Sequence, residues 1–315
     1  MNTPEIFNQP ECQLCPRMCM SRRSEGQKGW CGAGEGVQVA SVCRHLGEEP
    51  VISGSNGICN VFFAHCNLQC VYCQNHQISS REGFSGGIRD VLTASERICQ
   101  LLESGCHAIG FVSPTHYIPR MKEMIKLVND NGFKPVIVYN TNAYDRIEVL
   151  RLLEDDVDIY LPDFKYADPG TSLKYSGSEE YPIYAKAALK EMFRQKGSRL
   201  RMLNDECAAS GLIIRHLVLP GLAEESIRIL QWIAEELSPR VHISLLSQYY
   251  PAHRADQFPE ISRSLAAEEY IRVQEALEEL GFESGWVQNF ESQVHYRPDF
   301  SQAHPFDANE KIDPL

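Results

Sequence analysis

The stretch HCNLQCVYCQN, His65 to Asn75, places Cys66, Cys70 and Cys73 within eight residues. No fourth cysteine follows at ligand spacing. Thiolates select soft metals, zinc or iron–sulfur, over magnesium or calcium. A structural zinc takes four protein ligands and closes its site. An ordinary electron-transfer cluster also takes its last ligand from the protein. Three thiolates leave a coordination position for something else, as a [4Fe–4S] cube held by three cysteines leaves one iron free. Against this stands a chance grouping, or a partial zinc site completed by a remote ligand such as Cys59.

A second set, Cys12-x2-Cys15-x3-Cys19-x11-Cys31, has four thiols. Four sulfurs suit a closed site: structural zinc, a single iron or an auxiliary iron–sulfur cluster. Nearby glycines permit the tight turns such knuckles need. One reading is an auxiliary cluster that passes electrons to the first; the other is a zinc knuckle that folds the segment. Cys43 and Cys59 are spare thiols. Cys99, Cys106 and Cys207 read as buried apolar residues.

Elements must position these groups. The first ~45 residues contain no helix of useful length and look like a small loop-rich module pinned by metal. From Gly57 onward, short apolar runs alternate with amphipathic segments. The runs GICNVFF, HAIGFVS, KPVIVYN, VDIYLPDF, GLIIRHLVL and VHISLLS read as strands. Each is followed by a helical pattern, the first ending at Gly105 and the second at Asn131-Gly132. Six strand–helix repeats predict a parallel sheet with helical crossovers and both faces covered. Periodicity leaves an open doubly wound sheet and a full or partial barrel both standing. In either, ligands gather at the carboxyl ends of the strands. The tail after Gly281 either covers the open side of the sheet or stays loose.

Bulk properties narrow the function. The chain has 315 residues, 43% of them apolar, and a net charge of −12. Such acidity argues against a nonspecific nucleic-acid binder. The start has no basic and apolar leader pattern, and no apolar run is long enough to span a bilayer. The expected address is the cytoplasm, where twelve cysteines point to metal rather than disulfides.

The C-x3-C-x2-C spacing after the first strand, with Tyr72 before the last cysteine, resembles the radical S-adenosylmethionine (SAM) superfamily. The resemblance runs over about residues 57 to 255. It is nearest the activating enzymes of glycyl-radical enzymes such as pyruvate formate-lyase, and nearer still to activase homologues whose substrate is not established. It rests on FFAHCNLQCVYCQN, SPTHYIP, YNTNAY, YLPDFKYAD, IRHLVLPG and SQYYPAH, each at a strand end. It implies an α/β fold: a partial (β/α)6 TIM-like barrel over residues 46–315, preceded by a cysteine-rich, metal-binding module over 1–45. It implies a [4Fe–4S] cluster on Cys66, Cys70 and Cys73 whose free iron chelates SAM. One electron then cleaves the sulfonium, and the resulting 5′-deoxyadenosyl radical abstracts hydrogen from a substrate. The implied partners are an electron donor such as flavodoxin or ferredoxin and a protein substrate, with a glycine of a partner enzyme as target. A small metabolite or another side chain is the alternative target.

By the same resemblance, Tyr72, Thr115, His116, Asn140, Thr141, Asn142, Asp163, Lys165 and Arg215 bind SAM or its surroundings. Ser113-Pro114-Thr115-His116 stands where many members carry a Gly-Gly-Glu-Pro-like run, and Asn140 stands where the activase has an aspartate at a cation site. Arg215, inside a strand, needs a carboxylate partner, because a buried unpaired charge is costly. His216 should face the other way and be structural; His253 is a weaker candidate. No general acid or base is expected, because hydrogen abstraction needs orientation and exclusion of water rather than a tuned pKa. A noncatalytic metal adaptor or electron-transfer protein and a zinc-ribbon nucleic-acid binder are the readings from other classes.

Overall fold

A computed structural model describes residues 5–294, 297–302 and 304–306. Nine strands are present among them: β1 (Val39–His45), β2 (Ile58–Phe63), β3 (Ala108–Val112), β4 (Val136–Thr141), β5 (Ile159–Pro162), β6 (Arg201–Met202), β7 (Ala208–Leu217), β8 (His242–Leu246) and β9 (Gly285–Val287). They form one sheet in the order β1-β2-β3-β4-β5-β7-β8-β9, with β6 on β7. The pairs from β2 through β5, and on through β7 and β8 to β9, are parallel. β1 runs antiparallel to β2, and β6 to β7. The six strands expected from sequence are β2, β3, β4, β5, β7 and β8, side by side in chain order. Among the described residues the end strands β1 and β9 do not pair, so the sheet is an open, partial barrel.

Alternation along the strands sorts the core into two faces. On the outer face Val61, Phe63, Ile109, Phe111, Ile137, Tyr139, Leu212 and Ile214 join one large cluster with the helices. On the inner face Ile58, Ala108, Val136, Val138, Ile159, Leu161 and Ile213 close on one another and on Ile52. Helices Val91–Glu103, Ile118–Asp130, Tyr181–Lys196, Ala223–Glu236 and Ala267–Glu279 clad the outside. Asp90 caps the first, accepting from Thr93 N at 2.7 Å. The helix expected after β4 is only Ile147–Arg151. Glu154, Asp155 and Asp156 follow it, where the negative end of a helix dipole disfavours carboxylates.

Three strands were not legible in the sequence. β1 lies within the segment expected to be a separate module; its seven residues belong to the sheet. Cys31, Ala33, Val37 and Val39 share the outer core with β2 and β3. This part of the amino-terminal segment is thus packed on the barrel. β6 and β9 are two and three residues long, too short for a periodic signal. In the tail, Phe300 and Phe306 pack on Phe62, with ring centroids 5.2 and 5.4 Å away, covering part of the open side. No helix among the described residues is long and apolar enough to cross a membrane.

Gly110 on β3 faces inward, and a Cβ there would collide with Asn60 Oδ1, which is itself bonded to Glu48 through Nδ2 at 2.8 Å. Gly110→Ala should destabilise the fold by about 1–3 kcal/mol through overpacking, read as a lower urea midpoint with an unchanged m-value.

Candidate cofactor and metal site

The loop after β2 is built from strained backbone. His65 and Gln69 have φ of +69° and +67°. Gln69 Nε2 holds the carbonyls of Cys66 (2.9 Å) and Ser79 (2.6 Å). Val71 N donates to Tyr175 O and Arg254 N to Val71 O, both at 2.8 Å, so elements after β5 and β8 clamp the loop. Among the described residues, three of the five other non-glycine residues with positive φ are Ser113, Ala143 and His253. These also lie just past β3, β4 and β8. Strained residues of this kind collect at functional sites.

Cys66, Cys70 and Cys73 line one cavity of about 210 Å³ at the carboxyl edge of the sheet. Each sulfur has its own polar neighbour. Asn142 Nδ2 donates to Cys66 Sγ at 3.4 Å, and Ser176 Oγ donates to Cys70 Sγ at 3.1 Å. Ser79 Oγ lies 3.3 Å from Cys73 Sγ. Burial pushes the Cys70 thiol up, against the pull of Lys165. Burial and then Cys70 push the Cys73 thiol up to about 12. Among the described residues no three His, Cys, Asp or Glu side chains gather closely enough to share one metal ion. A cube asks for something different, because each thiolate binds its own iron. Three thiols on one cavity wall, each hydrogen-bonded, fit that group. Bonds to the sulfurs are also what tunes a cluster's potential.

Tyr72 lines the same cavity. Its hydroxyl accepts from Tyr166 OH at 2.7 Å, and Tyr166 OH lies 2.8 Å from Ser176 Oγ. The edge of Tyr249 packs on Tyr72 at 5.9 Å. These three tyrosines are buried and form an aromatic backing to the cysteine loop.

The opposite wall is charged. Arg215 points into the barrel and donates from Nε to Asp163 (2.8 Å), from Nη1 to Glu48 (3.0 Å) and from Nη2 to Asn140 (2.7 Å). The carboxylate that a strand arginine requires is therefore supplied twice. Lys165 Nζ donates to the other oxygen of Asp163 at 2.9 Å. Burial pushes the Asp163 carboxyl up, but Arg215 and Lys165 outweigh it and hold it below its ordinary value. Burial disfavours the Lys165 ammonium, and Asp163, followed by Cys70, more than restores it. Asn140, Asn142, Asp163, Lys165 and Arg215 all line the cavity with the three cysteines.

Thr115, His116 and Thr141 do not line it. Strand parity explains Thr141: Asn140 faces in, so its neighbour faces out. Thr141 and Thr115 donate to Asp145, at 2.6 and 2.8 Å, and Tyr139 OH joins them at 3.0 Å. Burial raises the Asp145 carboxyl, and the three hydroxyls only partly offset it. His116 is buried with Nε2 on Ala64 O at 2.8 Å, and burial lowers it to about 3. From this turn Ser113 reaches the cavity instead. His216 faces the helices, with Nδ1 on Phe164 O (2.7 Å) and Nε2 on Ser226 Oγ (2.8 Å), a structural role. His253 lies outside, its ring stacked on His76 at 5.2 Å.

Several site residues escaped sequence reasoning. His45, at the end of β1, and Glu48, in the connection to β2, reach the cavity, and Glu49 is buried beside Arg215, its carboxyl raised by burial. No periodic signal marks that connection. Only the requirement for a partner to Arg215 could have prompted a search for it. Ser79 and Ser176 are likewise ordinary turn and helix serines in sequence.

No protein-family model matches the chain. Two relatives are uncharacterised proteins of Methanocaldococcus jannaschii. MJ0674 is 27% identical over 275 residues, 85% of this chain and 73% of that protein. MJ0808 is 22% identical over 291 residues, 84% and 80% respectively. Among solved structures, native anSMEcpe with bound AdoMet aligns with a TM-score of 0.46 and 14% identity over 75% of this chain. Streptococcus suis SuiB bound to precursor peptide SuiA aligns with a TM-score of 0.49 and 13% identity over 71%. The chain spans 60% of the first and 46% of the second.

Asp145 gives a pH test. Its folded pKa lies above the unfolded value of about 3.9, so ionising it costs the folded state. The stability of the wild type relative to Asp145→Asn should be highest below pH ~4 and fall as pH rises through the folded value. Urea titrations across that range measure it; a flat difference refutes it.

Proposed function

We propose that the chain is a radical SAM enzyme. One observation carries this: three cysteines at the tip of β2 share a cavity with a polar, charge-balanced wall. An adaptor has no use for that wall. Cys66, Cys70 and Cys73 would hold a [4Fe–4S] cluster. Bound there, the cluster and SAM supply a single electron and a 5′-deoxyadenosyl radical able to take hydrogen from a substrate.

The protein's own part is to position and shield. Lys165, tethered by Asp163, offers its remaining N–H donors to the carboxylate of SAM. Asn140 and Asn142 supply neutral polar contacts, and Asn142 links one such contact to Cys66 Sγ. Arg215 serves by orienting Asp163 and Asn140 rather than by a free fork, because three of its donors are engaged. Tyr72, Tyr166 and Tyr249 exclude water. No side chain is assigned as acid or base. By the activase resemblance the target is a protein, a glycine of a partner enzyme, and a flavodoxin or ferredoxin supplies the electron in the cytoplasm.

After anaerobic reconstitution with iron and sulfide, the protein should release 5′-deoxyadenosine from SAM under a strong reductant, and a cognate partner protein should raise the yield. Replacing any of Cys66, Cys70 or Cys73 by Ala should abolish release and the SAM-dependent change in the cluster's paramagnetic resonance spectrum. A cluster whose spectrum ignores SAM refutes the proposal.

Lys165→Met should raise the KM for SAM about tenfold or more, since a hydrogen bond to a charged group contributes about 1.5–3 kcal/mol. Iron content should stay at the wild-type level. Equal KM values would remove Lys165 from the SAM site.

A further inference from the structure

Outside the cavity, the densest set of metal-ligating groups lies on two turns near the amino terminus. In the first, Met18 N donates to Cys15 O (3.0 Å), Met20 N to Cys12 O (3.2 Å) and Cys12 N to Ser21 O (3.0 Å). Met18 and Met20 are held at φ +35° and +54°, conformations that non-glycine residues rarely adopt. In the second, Gly32 N donates to Gly29 O (2.9 Å) and Gly29 N to Ala33 O (2.8 Å), setting Cys31 at the bend. The thiols of Cys12 and Cys19 share a hydrogen bond, and Cys15, Cys19 and Cys31 lie within reach of one another's charge. All four are free.

Arg23 enters the same cluster. Its Nη2 is 3.6 Å from Cys31 Sγ, and Nη1 donates to His116 O at 2.7 Å. Among the described residues its buried Nε has no hydrogen-bond partner. A guanidinium so placed asks for negative charge, which thiolates supply and neutral thiols do not.

We propose that Cys12, Cys15, Cys19 and Cys31 hold a second, thiolate-bound soft metal, and that this centre braces the Cys66 loop through Arg17. Arg17 lies between Cys15 and Cys19. Its guanidinium sits 3.7 Å over the Trp30 ring, beside Cys31. From there Nε donates to Asn67 O (3.1 Å) and Nη2 to Ser176 O (3.3 Å). Asn67 adjoins Cys66, and Ser176 carries the hydroxyl that meets Cys70. Fixing Cys15 and Cys19 on a metal fixes the backbone of the residue that ties down both neighbours. The thiols do not now surround one point. Ligation draws them out of their bonds to each other, the usual coupling of metal binding to local folding. Zinc and an iron–sulfur cluster share the required chemistry.

The first half of the proposal is independent of the SAM reading, since it concerns other cysteines. The test uses the full chain with Cys66, Cys70 and Cys73 all replaced by Ala. One portion is loaded anaerobically with zinc alone, another with iron and sulfide. In one arm the protein should retain about one zinc or about four irons per chain. Adding Cys12→Ala and Cys31→Ala should cut that at least tenfold, with the circular dichroism spectrum unchanged. A folded chain that retains neither metal overturns the site. For the brace, Arg17→Ala in the chain with all its cysteines should keep the amino-terminal metal and lose iron severalfold at the Cys66 loop, with Arg17→Lys in between. Unchanged iron in Arg17→Ala overturns the brace.

Discussion

The carboxyl end of the sheet is organised around one inward guanidinium. Arg215 sits in β7, where the alternation of the strand leaves its side chain inside the barrel. Removing one partner of a buried ion pair typically costs about 3–5 kcal/mol, because a charge is left uncompensated. The chain answers with two carboxylates and an amide from three other segments: Asp163 after β5, Asn140 at the end of β4, and Glu48 before β2. These bonds set the orientation of Asp163, Asp163 sets Lys165, and Lys165 bears on Cys70. The ionic network therefore couples the packing of four segments at this edge of the sheet to the charge balance of the cavity.

Around it the loops are held by backbone rather than by hydrophobic packing alone. Left-handed residues follow β2, β3, β4 and β8, and the segments after these strands supply Cys66, Ser113, Asn142 and Gln248 to the cavity lining. A strained loop persists only when its surroundings over-determine it. Here they do: the helix after β5, the segment after β8 and Arg17 from the amino-terminal segment all bond to the cysteine loop. The two regions that the sequence divides at residue 45 are one packed unit at this edge.

The buried carboxylate of Asp145 shows a different solution to the same problem. Among the described residues no cation pairs with it; three hydroxyls satisfy it, and burial leaves its pKa raised. Thr115 and Thr141 are spent on it, which keeps the turns after β3 and β4 together on the outer face while Ser113 and Asn140 work on the inner one.

Much of this was legible in the linear chain. The spacing of Cys66, Cys70 and Cys73 is local, and so are the period of two in the strands and the longer period in the helices. Local patterns therefore located six strands, their helices and the edge where polar residues collect. Parity within β7 also separated Arg215 from His216. Contacts distant in sequence were another matter. Nothing local says that Glu48 lies against Arg215, that Ser176 meets Cys70, or that Thr115 turns toward Asp145 and away from the cavity. Those pairings exist only once the sheet curls and brings its strand ends together. Residue types and periods wrote the scaffold and the cysteine motif; which polar groups became partners was decided by tertiary packing, because a buried charge or donor takes whatever complement the fold delivers to it.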